Sequence, residues 1–181
     1  MFSASRAKAG WLALALLAAA FIWTTWPMRT VGSENSRLLV VFHADEATHF
    51  NQVSSAAKAH TYQVAWEMGY GYAFFNVVQT VLLVRPPVSE QQVVLTLRTV
   101  EWLFALAAVV FVFVSTRRVS TRAAVLTTAL VVTLPVYIRW SVISHPDMMQ
   151  VLFIWVALDA SARRLDRGSR AWTLVAAAAA G

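Results

Sequence analysis

The sequence predicts an all-α, multi-span helical membrane protein with a large outer loop that carries interfacial helices. Three observations support this. The 181 residues are 59% hydrophobic and only 13% charged, with positive mean hydropathy. That balance is too apolar for an ordinary soluble domain and is incompatible with disorder. Second, apolar runs of bilayer-crossing length recur along the chain. Third, nine of the fifteen basic residues fall in three short patches beside those runs. The patches are Arg6 and Lys8; Arg117, Arg118 and Arg122; and Arg163, Arg164, Arg167 and Arg170. The positive-inside rule places such patches in the cytoplasm. It also accounts for most of the net charge of +6, and no nucleic-acid recognition motif accompanies that charge, so nucleic acid is not an expected partner. Cysteine is absent, which removes disulfides and thiolate chemistry.

The elements follow in order. Ala9 to Met28 is an uncharged run of about 20 residues, enough for one crossing at 1.5 Å per residue. Trp11, Trp23 and Trp26 mark its ends as interfacial anchors. Arg6 and Lys8 set the N-terminus in the cytoplasm, and Thr24-Thr25-Trp26-Pro27 is a poor cleavage site, so an uncleaved helix is expected. The outer loop runs over about 29–92. Within it Ala44 to Met68 reads as a helix near the interface, broken by Gly69-Tyr70-Gly71. Tyr72 to Val84, bounded by Arg85-Pro86-Pro87, is apolar but too short to span and reads as interfacial or re-entrant. Further spans are expected at 93–116, 123–138 (kinked by Pro135) and 148–162, with a fifth starting from 171. Arg98 and Glu101 lie one turn apart and are placed to pair. The chain stops at Gly181 inside an apolar run, so residues 1–181 read as the N-terminal part of a larger transmembrane domain. In this scheme the three basic patches share one side and all four histidines the other.

Two acidic sites carry the functional expectation. In His43-Ala44-Asp45-Glu46-Ala47-Thr48-His49-Phe50, Asp45 and His49 share a helix face at i,i+4, and Glu46 neighbours His49 at i,i+3. A partly buried carboxylate there can be tuned toward general-base work. Asp and His one turn apart can equally supply two ligands to a divalent metal. The plainer alternative is that both acids occupy a helix N-terminus, favoured by its dipole. Ser144-His145-Pro146-Asp147 opens the 148–162 span, where Pro146 and Asp147 also suit a first helical turn. Arg139 can pair with a carboxylate, contact a phosphate or anchor the interface. Lys58, the single lysine of the outer loop, can contact a phosphate or face solvent. Tyr70, Tyr72, Phe74 and Phe75 can line a cleft for a lipid or sugar, or serve as interfacial aromatics.

These motifs together resemble the N-terminal part of the glycosyltransferase C (GT-C) superfamily, near the protein mannosyltransferase and aminoarabinose transferase type. The likeness rests on three features. One is a single membrane helix followed by a large outer loop with the acidic stretch His43 to Phe50. The others are the Gly- and aromatic-rich stretch Gly69 to Phe75 and the stretch Arg139 to Asp147 entering a later span. The resemblance implies inverting transfer of a sugar from a polyprenyl-phosphate donor to an acceptor hydroxyl at the outer face of the cell membrane. It implies Asp45 as base with Glu46 in support. Asp147, His49, Arg139 and Lys58 would serve the donor phosphate or a metal, and a divalent metal cofactor stays open. The rival expectation is a transporter component or membrane scaffold using Arg98, Glu101 and Asp159 as intramembrane polar residues.

Overall fold

The computed structural model describes residues 4–62, 72–167 and 170–180, and they form helices without a strand among them. In chain order these are α1 (Ala4–Thr25), α2 (Leu39–Phe42), α3 (Ala44–Lys58), α4 (Ala73–Val84), α5 (Glu90–Thr116), α6 (Thr121–Thr133), α7 (Pro135–Trp140), α8 (Asp147–Arg167) and α9 (Arg170–Ala180). Two stretches, Lys8–Thr30 and Glu90–Thr116, are long and apolar enough to cross a membrane. The expected 123–138 span is divided instead: Leu134 is extended (φ −67°, ψ 119°), ending α6 ahead of Pro135. A residue before proline is driven out of the helical region, and proline itself cannot donate to the preceding turn. The thirteen residues of α6 reach only about 20 Å at 1.5 Å each. Helix α8 has the length, but Asp159, Arg163, Arg164 and Asp166 fill its later turns.

The chain forms two compact units. One comprises Met1–Trp23, Phe104–Ile138 and Met148–Gly181. Here Leu14, Phe113 and Ala124 form a buried cluster. A Cβ on Gly10 would stand 2.8 Å from Thr121 Cγ2, so the absent side chain lets α1 approach the start of α6. Ser120 caps α6 by accepting the Ala123 N–H at 3.0 Å. The Tyr137 hydroxyl donates to the Ala105 carbonyl at 2.7 Å. Asp159 is almost buried and is claimed by two arginines, Arg163 at 2.7 Å and Arg118.

The other unit, Thr24–Leu103 with Arg139–Asp147, carries both acidic motifs. Its core draws Phe50, Val53 and Ala56 from α3, Phe74, Phe75, Val78 and Leu82 from α4, and Val93, Val94 and Leu97 from α5. Gln79 closes the α3–α4 contact by donating to the Val53 carbonyl at 2.9 Å. Helix α3 ends at Lys58, well short of Met68. Its stop is a Schellman motif, in which the His60 N–H meets the Ala57 carbonyl (3.2 Å) and the Thr61 N–H meets the Ala56 carbonyl (3.0 Å). His60 takes the left-handed conformation (φ 51°) that glycine usually fills. The break expected at Gly69-Tyr70-Gly71, and Tyr70 with it, lies outside the described residues.

Candidate active site

Helix α3 begins with a histidine cap. His43 is extended (φ −161°, ψ 135°), and its Nδ1 accepts the Asp45 N–H at 3.3 Å. Asp45 and Glu46 then occupy the first turn, where the helix dipole favours negative charge. The buried face of α3 is Glu46, His49, Phe50, Val53 and Ala56, the i, i+3, i+4, i+7 spacing of one helical side. Asp45 lies beside that face with its side chain 40% exposed.

Glu46 and His49 grip one residue of the distant second motif. The Ser144 N–H donates to Glu46 Oε1 at 3.0 Å, and His49 Nδ1 lies 2.9 Å from the Ser144 carbonyl. A carbonyl only accepts, so Nδ1 of His49 carries the proton. Burial pushes the His49 imidazole below its ordinary range, with the Ser144 carbonyl acting in the opposite sense. Both backbone groups of Ser144 are thereby held by side chains one turn apart on α3. The next residue, His145, is consequently delivered to Asp45.

His145 joins the two acidic sites. Its Nε2 lies 3.3 Å from Asp45 Oδ2, and its Nδ1 stands 2.8 Å from Asp147 Oδ1; a neutral ring donates from only one of the two nitrogens. The ring is almost enclosed, at 7% exposure, whereas both aspartates remain open to solvent on one side. His43, His49 and Trp140 pack around it, with ring centroids 5.2, 5.5 and 5.4 Å from the His145 ring. Phe75 backs His49 edge-on at 5.1 Å.

Glu46 itself is fully buried. Arg98 Nε donates to its Oε1 at 2.6 Å and Nη2 to its Oε2 at 3.0 Å, a bidentate pair of the strong kind. Nη1 of Arg98 donates to the carbonyls of Arg29 (2.9 Å) and Val31 (2.7 Å). The pairing of Arg98 with Glu101 expected from their spacing therefore gives way to a partner 52 residues distant in sequence. Glu46, expected to support the base, is instead out of a substrate's reach and acts as a post for Arg98 and Ser144.

The remaining candidates lie elsewhere. Lys58 is exposed at the far end of α3, about 20 Å along the axis from Asp45 at 1.5 Å per residue. It rims a separate cleft with Asn51, Ser54, Ser55, His60 and Glu90. Arg139 lies in the last turn of α7 and is exposed. Phe74 and Phe75 are core residues while Tyr72 is exposed, so of this cluster the two phenylalanines line no cleft. His49, expected to pair with Asp45 as a ligand, is not among the side chains whose ligand atoms converge with it. The set that fits an ion is His43, Asp45 and His145, whose ligand atoms all lie within 4.8 Å of one another. Sequence reasoning gave His43 and His145 no role. The signals were a histidine two residues before each aspartate, at a helix start in both motifs.

No family model, no curated protein and no solved structure matches this chain. Its chemistry is therefore read from the site alone.

Proposed function

We propose that this chain is part of a multi-span membrane glycosyltransferase resembling the GT-C superfamily. It moves a sugar from a polyprenyl-phosphate donor to an acceptor hydroxyl at the outer face of the cell membrane, with inversion. The observation that carries this reading is the Asp45–His145–Asp147 chain: one partly open carboxylate oriented by an enclosed imidazole, itself backed by a second carboxylate. Such an arrangement holds a base in a fixed pose, which positioned catalysis requires.

In the reaction, the acceptor oxygen attacks the anomeric carbon from the face opposite the phosphate. The bond from that carbon to the phosphate oxygen breaks, polyprenyl phosphate departs with the bonding pair, and the acceptor proton passes to the Asp45 carboxylate. The donor's lipid tail stays in the bilayer, so the reacting carbon must be presented at the interface. The two bilayer-length apolar stretches, Lys8–Thr30 and Glu90–Thr116, flank the loop that bears Asp45 in sequence, which suits that requirement. Further crossings, by the α6–α7 segment bent at Leu134-Pro135 and by α8, and a cytoplasmic N-terminus, belong to the same proposal.

A general base contributes about 10² to 10⁴-fold. Asp45→Asn, nearly the same size and still able to meet His145, is expected to slow sugar transfer by at least about 100-fold while retaining helix content. Transfer at the unaltered rate would remove Asp45 from the chemistry. The transporter or scaffold reading is less well supported, because Arg98 and Asp159 are already committed to fixed ion pairs.

A further inference from the structure

We propose that His43, Asp45 and His145 form a binding site for a divalent transition metal of the zinc type, held with one coordination position open. The proposal concerns the same cluster as the base reading but does not depend on sugar transfer, because binding is measured without substrate.

Four observations support it. The donors come from three side chains, two imidazoles and one carboxylate, a set that suits zinc-like ions better than the hard cations, which prefer oxygen alone. Their spacing also fits. Asp45 Oδ2 lies 3.3 Å from His145 Nε2 and 3.8 Å from His43 Nδ1, with every ligand atom inside 4.8 Å. Bonds of about 2.0–2.1 Å in a tetrahedron give ligand-to-ligand edges of about 3.4 Å, so two edges are nearly in place. The third, within 4.8 Å, closes by turning His43, whose side chain is 27% exposed. That turn exchanges its weak 3.3 Å acceptance of the Asp45 N–H for a metal bond.

Third, a second-shell carboxylate is close at hand. Metal-bound histidines usually present their other ring nitrogen to a carboxylate, which sets the tautomer and raises ligand basicity. Asp147 Oδ1 stands 2.8 Å from Nδ1 of His145 in that position. Fourth, the positions of the ligands are enforced. His145 follows Ser144, whose N–H and carbonyl are both gripped from α3. Asp45 opens the first turn of that same helix. Three protein ligands are the count of an open zinc site, which leaves a fourth position for water or an anionic oxygen.

Tag-free protein is titrated with Co²⁺, and the visible bands of four-coordinate cobalt are followed, with Zn²⁺ as competitor. The expected result is one ion per chain, displaced by Zn²⁺. His43→Gln and His145→Gln are expected to weaken binding by at least about 100-fold, and Asp147→Asn by about 10 to 100-fold as a second-shell partner. His60→Gln, which alters the histidine at the other end of α3, is expected to leave binding intact. Circular dichroism of each variant separates lost ligands from lost fold. Absence of Co²⁺ binding by the unaltered chain overturns the proposal, as does full binding in folded His43→Gln or His145→Gln protein. Neither result touches the Asp45→Asn transfer test, which reads the base with no metal added.

Discussion

At the residue scale, the most consequential side chain is Arg98. It is 2% exposed and donates to both oxygens of a Glu46 that is wholly enclosed. It also holds two backbone carbonyls of the segment following α1. Removing one partner of such a pair strands the other charge in an enclosed site. Arg98→Ala is therefore expected to destabilise the protein by about 3–5 kcal/mol, read by denaturant unfolding in detergent. Replacing both partners with apolar residues should cost less than the single change, because no charge is stranded. A loss below about 1 kcal/mol for the single variant would place the pair among weak surface contacts. The sequence led to the pairing of Arg98 with Glu101 because helical neighbours are the only partners that spacing reveals. A partner on another helix leaves no periodic trace. For the same reason Asp45 and Asp147 were legible as helix-start acids, whereas the histidine joining them was not.

At the element scale, α3 organises the site. Its histidine cap, its acidic first turn and its buried Glu46 and His49 all act on the segment Ser144 to Asp147. The start of this helix was readable, since an acidic pair marks a favourable N-terminus. Its end was not, because the residue in left-handed conformation is His60 rather than a glycine, so the usual stop signal is missing. That choice carries a steric cost of roughly 1–2 kcal/mol for a residue with a Cβ. His60→Gly is expected to raise unfolding stability by up to about 1 kcal/mol, less than the full relief because glycine also loosens the unfolded chain. Destabilisation by the same change would mean that the His60 side chain supports the helix end. Pro135 shows a milder mismatch of the same kind. A proline inside an apolar run signals a kink or a break alike, and here it separates α6 from α7.

At the scale of the whole molecule, composition made the helical class legible, and the described residues are helical with no strand among them. The number of crossings was less legible, because apolar composition marks a helix without fixing its length. Lys8–Thr30 and Glu90–Thr116 have both length and apolarity, whereas Ala73–Val84, Thr121–Thr133 and Ala171–Ala180 are shorter apolar helices. The proposed arrangement puts the arginine-rich turns on one side of the bilayer, with Asp45 and Asp147 together on the other. The chain lacks cysteine, so single introduced thiols report sidedness without background. Asp45→Cys and Asp147→Cys, each in sealed cells, are expected to react with a membrane-impermeant maleimide added outside, while Arg164→Cys reacts only after permeabilisation. If the thiols at positions 45 and 147 label from opposite compartments, the histidine-linked pair is not one reaction centre and the enzymatic reading fails.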